Sequence, residues 1–114
     1  MTTPKVEISL RLRFGEHAPV LDQRAARMLE LIDAHGSIAQ AATALKISYR
    51  TAWVLVSKLN RCGVGSVVSA SRGGNINGAR LTPAGLALID QFRRTERELA
   101  AFLDQLNRDL HSQK

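Results

Sequence analysis

Two short helices, each preceded by a serine, constrain the fold of this sequence more than any other feature. Ser37 precedes the apolar, alanine-rich stretch 38–45, and Ser48 precedes the helical stretch 49–61. A serine hydroxyl in this position accepts a hydrogen bond from a free amide in the first helical turn, so each serine predicts a helix start. Two capped helices separated only by residues 46–48 are typical of a helix-turn-helix.

The residues before this motif predict a strand and a further helix. Apolar and polar residues alternate strictly over 6–14, which is typical of a half-buried strand. Helical spacing of apolar residues predicts a helix over 22–35, with Asp22 as its N-cap and Gly36 as its left-handed C-terminal residue. The segment 22–61 is therefore predicted to form a three-helix core.

After the third helix, the pattern changes from helical to strand-like. Strands are predicted at 67–71 and 79–81 around a tip rich in glycine and asparagine, so that 66–81 forms a hairpin. A hairpin in this position is the wing of a winged helix-turn-helix. The fold class expected for the single domain 1–114 is therefore mainly α with a small β wing.

A long terminal helix is predicted from Pro83 to about His111, because Thr82 and Pro83 combine an N-cap with proline at the first helical position. Its length of about 43 Å exceeds what one small core can cover. The apolar spacing instead suits a seam with a second copy of the chain, which makes this a dimerisation helix. The alternative is that its first turns fold back on the chain's own core. The predicted seam residues are Phe92, Leu99, Phe102, Leu103, Leu106 and Leu110.

The excess positive charge of the chain is confined to one segment. Sixteen Lys and Arg residues against ten Asp and Glu give a net charge of +6. No acidic residue lies between Ala34 and Ile89, and the six basic residues of this acid-free segment account for the whole excess. A positive charge concentrated in one segment favours binding to a polyphosphate over the alternative that this surface is simply solvated.

The third helix is predicted to have one buried and one basic face. Ala52, Val56 and Leu59, with Leu55, fall on the side expected to pack on the first two helices. The opposite side has no carboxylate and suits the major groove of DNA, where arginine pairs with guanine and apolar groups meet thymine methyls. The candidates for base contacts are Tyr49, Arg50, Thr51 and Val54. Lys58 and Arg61 are expected to meet the DNA backbone, Ser57 can serve a base or a phosphate, and Ser48 is a further candidate contact.

Further DNA contacts are predicted on either side of this helix. Ser37 and Gln40 lie at the start of the preceding helix, where they are placed to meet phosphate. The wing tip can reach the minor groove or the backbone, although asparagine is also an ordinary turn residue. The candidates at the tip are Arg72, Asn75 and Asn77. Trp53, at the edge of the basic face, is expected to pack between helices rather than to contact DNA.

Other classes of function find little support. Cys62 is the only cysteine, and His17, His35 and His111 are scattered, so neither an intramolecular disulfide nor a metal site is predicted. Because no nucleophile lies beside a base and no phosphate-loop motif occurs, we expect neither an enzyme nor a cofactor. The N terminus does not resemble a signal peptide, and no stretch approaches the roughly 20 apolar residues that span a bilayer. We therefore expect a cytoplasmic protein with no membrane partner.

Three stretches of the sequence share a pattern with one known family. They are Gly36–Ile38, ISYRTAW at 47–53 and GARLTPAG at 78–85. With the pair Ala41–Ala42, which LysR-type helices share, they resemble the DNA-binding domain of ModE-type molybdate-responsive regulators. The resemblance implies a sequence-specific transcription regulator that dimerises largely through its terminal helices. The family's molybdate-binding region follows this domain, and nothing up to Lys114 resembles it, so no molybdate site is expected here.

The sequence thus predicts a transcriptional regulator that binds double-stranded DNA as a homodimer. The resemblance to ModE-type regulators leaves open a role in molybdenum-related gene control. One alternative is an architectural protein that binds DNA with little sequence preference. A regulator should prefer its own site by ~10³-fold or more over random DNA, which separates the two. The other alternative is a protein-interaction module without a DNA role, against which the acid-free segment argues.

Overall fold

The computed structural model of the chain describes residues 6–13, 15–16, 19–61, 63–70 and 78–112. Its elements are β1 (Leu12–Arg13), β2 (Val20–Leu21), α1 (Gln23–His35), α2 (Ile38–Leu45), α3 (Tyr49–Leu59), β3 (Val68–Ala70), β4 (Ala79–Leu81) and α4 (Pro83–Ser112). The predicted fold class is confirmed. The chain is mainly helical, has small antiparallel strand pairs and ends in a long helix, an arrangement compatible with a winged-helix fold.

The ends of the first three helices are set by local hydrogen bonds. Asp22, Ser37 and Ser48 are the predicted N-caps, and each accepts a bond from the amide three residues on, at 2.9, 3.2 and 3.0 Å respectively. Gly36 ends α1 in the predicted left-handed conformation, with φ of 69°. Lys46 ends α2 with φ of 59°, a conformation that favours glycine and that the sequence did not predict.

The hydrophobic core is centred on α1, which packs on α2, β4 and α4. The buried residues of α1 are Ala25, Ala26, Met28, Leu29, Leu31 and Ile32. Phe92 of α4 is fully buried in the same core, to which Leu81 of β4 also belongs. The strands β3 and β4 pair in antiparallel register, with Val68 opposite Leu81. The amide of Ala79 donates to the carbonyl of Gly36 at 2.9 Å, so the strand pair is joined to the α1–α2 corner.

The strand predicted over 6–14 is wrong for most of its length. Only Leu12–Arg13 forms strand, paired with the unpredicted β2, and Phe14 lies outside the described residues. Residues 6–11 run instead beside the second half of α4, where the amide of Val6 donates to Oδ1 of Asn107 at 3.0 Å. Alternation of side chains predicts a half-buried extended segment, but a strand also needs a neighbouring strand for its backbone hydrogen bonds.

The other boundaries differ from the predictions by one or two residues. α3 ends at Leu59 rather than at 61, and β3 begins at Val68. The wing tip, residues 71–77, lies outside the described residues, and so does Cys62. Within the described ranges, no helix is both long enough and apolar enough to cross a membrane.

Asn60 joins the end of α3 to the start of β3. Its side-chain Oδ1 accepts from the amides of Val67 and Val68, at 2.8 and 2.9 Å. Both valines are buried, at 0% and 6% exposure, so their amides depend on this acceptor. Farther along, α4 crosses the same segment closely, because a Cβ on Gly85 would lie 2.2 Å from the carbonyl oxygen of Val67.

Arg93 ties α4 to α1 through a partly buried polar cluster. Its Nε donates to Glu30 at 3.0 Å and its Nη2 reaches the other oxygen of that carboxylate, while Nη1 donates to Gln23 and to Glu96, each at 2.6 Å. The hydrogen bond from Arg93 lowers the pKa of Glu30, against an opposing effect of burial. The same contacts with Glu30 raise the pKa of Arg93.

We expect the change Glu30→Gln to lower the free energy of unfolding at pH 7 by about 1–2 kcal/mol, because it leaves Arg93 without its bidentate carboxylate. Since the folded-state pKa of Glu30 is lowered, this contribution is fully present above the unfolded-state value of about 4.3 and is lost as the pH falls through the lower folded value. Urea unfolding at pH 7 and pH 3 measures the loss of stability and its dependence on pH. The control Asp90→Asn removes the exposed ion pair with Arg94 and should change little. A pH-independent difference would contradict the ionic role of Glu30.

The change Asn60→Ala should lower the free energy of unfolding by about 1–3 kcal/mol, because the amides of two buried valines lose their acceptor. The matched variant Asn60→Asp keeps a side-chain oxygen in place and should retain most of the stability. Urea unfolding of both variants provides the measurement. Equal losses in the two would mean that Asn60 acts by packing and not as an acceptor.

Candidate nucleic-acid interface

The helix α3 separates its residues into a buried and an exposed face. Ala52, Val56 and Leu59 are at most 1% exposed and Leu55 is half-buried, which confirms the predicted packing face. The predicted contact residues of this helix and its flanks are all exposed: Ser48, Tyr49, Arg50, Thr51, Val54, Ser57, Lys58 and Arg61. The structure therefore brings these eight candidates to one surface.

Trp53 contradicts the prediction that it packs between helices. It is 42% exposed and meets Tyr49, itself 49% exposed, in an edge-to-face contact with ring centroids 6.1 Å apart and an interplanar angle of 83°. Each ring restricts the other, so the pair forms a preorganised apolar edge on the exposed side of α3. Helical spacing places Tyr49 and Trp53 on the same flank of α3 as Asn60, and this flank faces β3.

The hydroxyl groups at the start of α3 are already used within the protein. Ser48 Oγ accepts from the amide of Thr51 and donates to Thr51 Oγ1 at 2.8 Å, so the two side chains hold one another in place. Thr51 is exposed, and its hydroxyl retains a proton that it can donate to a ligand. At the other end of the helix, Arg61 Nε donates to the carbonyl of Ser57 at 3.2 Å, which leaves its Nη groups available.

The candidates outside α3 have different outcomes. Ser37 is only 8% exposed and its backbone bridges to Gly78, so little of its side chain is open to a phosphate, and its contact stays a prediction. The hydroxyl caps α2, and the strand pair covers the residue from the side. Gln40 is exposed and stays a predicted contact. The wing candidates Arg72, Asn75 and Asn77 lie outside the described residues.

Cations of the acid-free segment differ in their surroundings from those of α4. The described basic residues of the segment are all exposed: Lys46, Arg50, Lys58, Arg61 and Arg80. Over the described ranges, the ion pairs are made by Arg93 and Arg94, and none by a cation of the acid-free segment. The cations on and around α3 are therefore not held in ion pairs in the described part of the chain.

Two residues of this surface were not found by sequence reasoning. Asn60, directly after α3, accepts from the amides of Val67 and Val68, and no sequence pattern predicted this contact. Arg24, in the first turn of α1, lines a cleft together with Thr51 and Lys58 of α3. No pattern in the sequence links residues 24 and 58, because the cleft exists only when α1 and α3 are packed.

The same region of the chain has known relatives, although no family model matches it. The chain is 42% identical over 90 residues to the molybdenum-pterin-binding protein MopA of Rhodobacter capsulatus, covering 78% of this chain and 34% of that protein. It is 36% identical over 84 residues to the molybdenum transport protein ModE of Herbaspirillum seropedicae, covering 73% and 31%. It is 32% identical over 92 residues to ModE of Azotobacter vinelandii, covering 80% and 34%.

The chain spans about a third of the length of the curated relatives it matches, since the matches cover 31–37% of those proteins. The matched region takes in most of the chain and includes α3 and its caps. The similarities therefore support the ModE-like resemblance: this chain is a homologue of the ModE and molybdenum-pterin-binding proteins over the matched region.

Proposed function

We propose that this chain is a DNA-binding regulatory domain that inserts α3 into the major groove of double-stranded DNA. The observation that carries the proposal is the exposed face of α3, where Arg50, Lys58 and Arg61 surround Val54 and no carboxylate is present. A helix fits the width of the major groove, and these groups match its guanine, phosphate and thymine-methyl targets. The relatives are named for molybdenum transport and molybdenum-pterin binding, which supports a molybdenum-related context, and the resemblance to ModE-type regulators adds gene control to it.

Arg50 and Lys58 are proposed to have different tasks on DNA. Arg50 is in the first turn of α3, the part that goes deepest into the groove in helix-turn-helix proteins, and is assigned to a base edge. Lys58 is two turns farther on and to one side, and is assigned to the backbone. A base contact adds affinity only on the correct sequence, whereas a backbone contact adds it on any sequence.

These assignments predict opposite patterns for two alanine variants. Arg50→Ala should weaken binding to a duplex selected from random DNA by about 1–3 kcal/mol and barely change binding to random duplexes. Lys58→Ala should weaken both about equally and reduce the salt dependence by about one unit of slope. Fluorescence anisotropy of labelled duplexes over a range of salt concentrations measures both. If Arg50→Ala loses as much on random DNA, then Arg50 is a backbone contact.

The same binding data separate the proposal from its alternatives. A ratio of ~10³ or more between the selected and random duplexes supports a sequence-specific regulator, and a ratio near unity would indicate an architectural protein. Absence of binding to any duplex would leave the protein-interaction module as the better explanation. The exposed Tyr49–Trp53 pair is the surface feature that favours that last reading, because aromatic groups are enriched at protein interfaces as well.

We also propose that the chain acts as a homodimer through α4, with a seam smaller than the sequence suggested. Phe92 is completely buried in its own core, so its assignment to the seam is wrong. Leu99 and Leu103 are partly covered by Ile8 and Leu10 of the same chain. Part of the apolar stripe that the helical spacing predicts is thus already covered by residues of the same chain.

The remaining part of the stripe supports the dimer. Phe102 and Leu110 are 59% and 47% exposed, and Leu106 between them is half-buried. Burial of such side chains contributes roughly 1.5–3 kcal/mol each, which is enough to offset the entropy of association when several are buried on each copy. The α3 helices of the two copies would then bind two half-sites on the DNA whose centres are about 34 Å apart.

The dimer proposal predicts that Phe102→Asp with Leu110→Asp gives a monomer. Because both side chains are exposed in the single chain, the double variant should still fold, and it should lose affinity for a two-half-site duplex far more than for one half-site. Leu86→Asp is the matched control, since Leu86 is 50% exposed on the opposite side of α4. Analytical ultracentrifugation gives the masses. An unmodified chain that is monomeric at micromolar concentration would refute the proposal.

A further inference from the structure

A cleft lies beside α3 on the side away from β3. It has a volume of about 260 Å³ and separates the first turn of α1 from the flank of the helix. Its lining includes Asp22 and Arg24 from the start of α1, and Thr51, Val54 and Lys58 from α3. Val54 belongs to the exposed face of α3, so the cleft opens directly beside the surface assigned to the major groove.

The two flanks of α3 carry different chemistry. Tyr49, Trp53 and Asn60 follow one another along the flank that faces β3, where Asn60 binds the amides of the strand. Thr51 and Lys58, seven residues apart, follow one another along the other flank and border the cleft. On this flank, a cation of α1 and a cation of α3 therefore line the same cleft.

We infer that Arg24 and Lys58 together bind backbone phosphates of the DNA strand that borders α3 on this flank. A helix of 10–12 Å diameter fills a major groove about 12 Å wide, so a phosphate strand must run along each of its sides. The hairpin β3–β4 lies on one side, and the Arg24–Lys58 cleft meets the strand on the other. This inference rests on the proposed function and adds to it a phosphate site and a residue from outside the acid-free segment.

The charges around the cleft are compatible with an anionic ligand. Over the described residues, the side chains of Arg24 and Lys58 form no ion pair or hydrogen bond, and both are exposed. The carboxylate of Asp22 also lines the cleft, but its Oδ1 accepts from the amide of Ala25 at 2.9 Å and caps the positive end of α1. An arginine and a lysine against one engaged carboxylate leave a net positive site.

The adjoining surface extends the same basic flank. Arg11 lines a second cleft that it shares with Asp22 and Arg24. Glu96 also borders that cleft, but it accepts a hydrogen bond from Arg93 at 2.6 Å and belongs to the polar cluster that joins α4 to α1. The cations on this side are thus directed to solvent, while the nearest carboxylates are used within the protein.

The test compares four variants of the whole chain on labelled 20-base-pair duplexes of random sequence. Arg24→Ala should weaken binding about three- to tenfold at 0.15 M salt and reduce the slope of affinity against salt by about one unit. Arg24→Lys keeps the charge and should keep the slope. Arg97→Ala removes the same charge from an exposed position on α4 and should leave affinity and slope nearly unchanged. Arg24→Ala combined with Lys58→Ala should lose about two units of slope.

A second measurement locates the contact on the DNA. A single neutral methylphosphonate replaces each phosphate of one strand in turn, in a duplex selected by the unmodified chain. At the phosphate that Arg24 contacts, the replacement should weaken binding of the unmodified chain but should not weaken binding of Arg24→Ala further. A merely structural role for Arg24 would leave the two proteins equally sensitive. If the unmodified chain binds DNA and Arg24→Ala behaves as Arg97→Ala does, the inference falls and the proposed function stands. If the unmodified chain binds no duplex, both fall.

Discussion

The packing of α1 into the centre of the core is the interaction on which the rest of the structure depends. Met28, Leu29 and Ile32 are completely buried, and burial of each contributes roughly 1.5–3 kcal/mol. Because α1 contacts α2, β4 and α4 at once, its position determines where α2 presents α3, where the strand pair begins and where α4 leaves the domain. The first turn of α1, with Arg24, is brought beside α3 by the same packing.

The same residue types serve two purposes, and their surroundings decide which. Arg93 is surrounded by Glu30, Glu96 and Gln23, so its charge is used to fasten α4 to α1. Arg50 and Lys58 carry the same charge but form no ion pair among the described residues, so their charge stays available for the DNA contact proposed above. The polar groups that must be satisfied inside the fold are satisfied by caps and by Asn60, which leaves the exposed face of α3 for binding.

The helix α4 changes its role along its length. Its first turns cross the 66–67 segment closely at Gly85 and end in the core at Phe92, while its middle is covered by residues 6–11 of the same chain. Its last turns present two large exposed apolar groups, Phe102 and Leu110, whereas Leu86 is exposed alone in the first turn. The dimensions of 64 × 28 × 22 Å show how far this helix extends from the domain. The apolar stripe is continuous in the sequence, but within one chain its parts lie in the core, against residues 6–11 and at the surface.

The sequence by itself determined the helices, their caps and the two faces of α3, because these follow from contacts between residues at most four positions apart. Asp22, Ser37 and Ser48 each cap a helix through the amide three residues on, and apolar spacing sets the buried face. Tertiary structure alone decided the features that join distant residues. Residues 6–11 lie along α4 through Val6 and Asn107, 101 positions apart, and so form no strand. Ser37 is covered by the strand pair, Phe92 is used by its own core, and Arg24 meets Lys58, because the packing of α1 brings those segments together and no local pattern records which segments will meet.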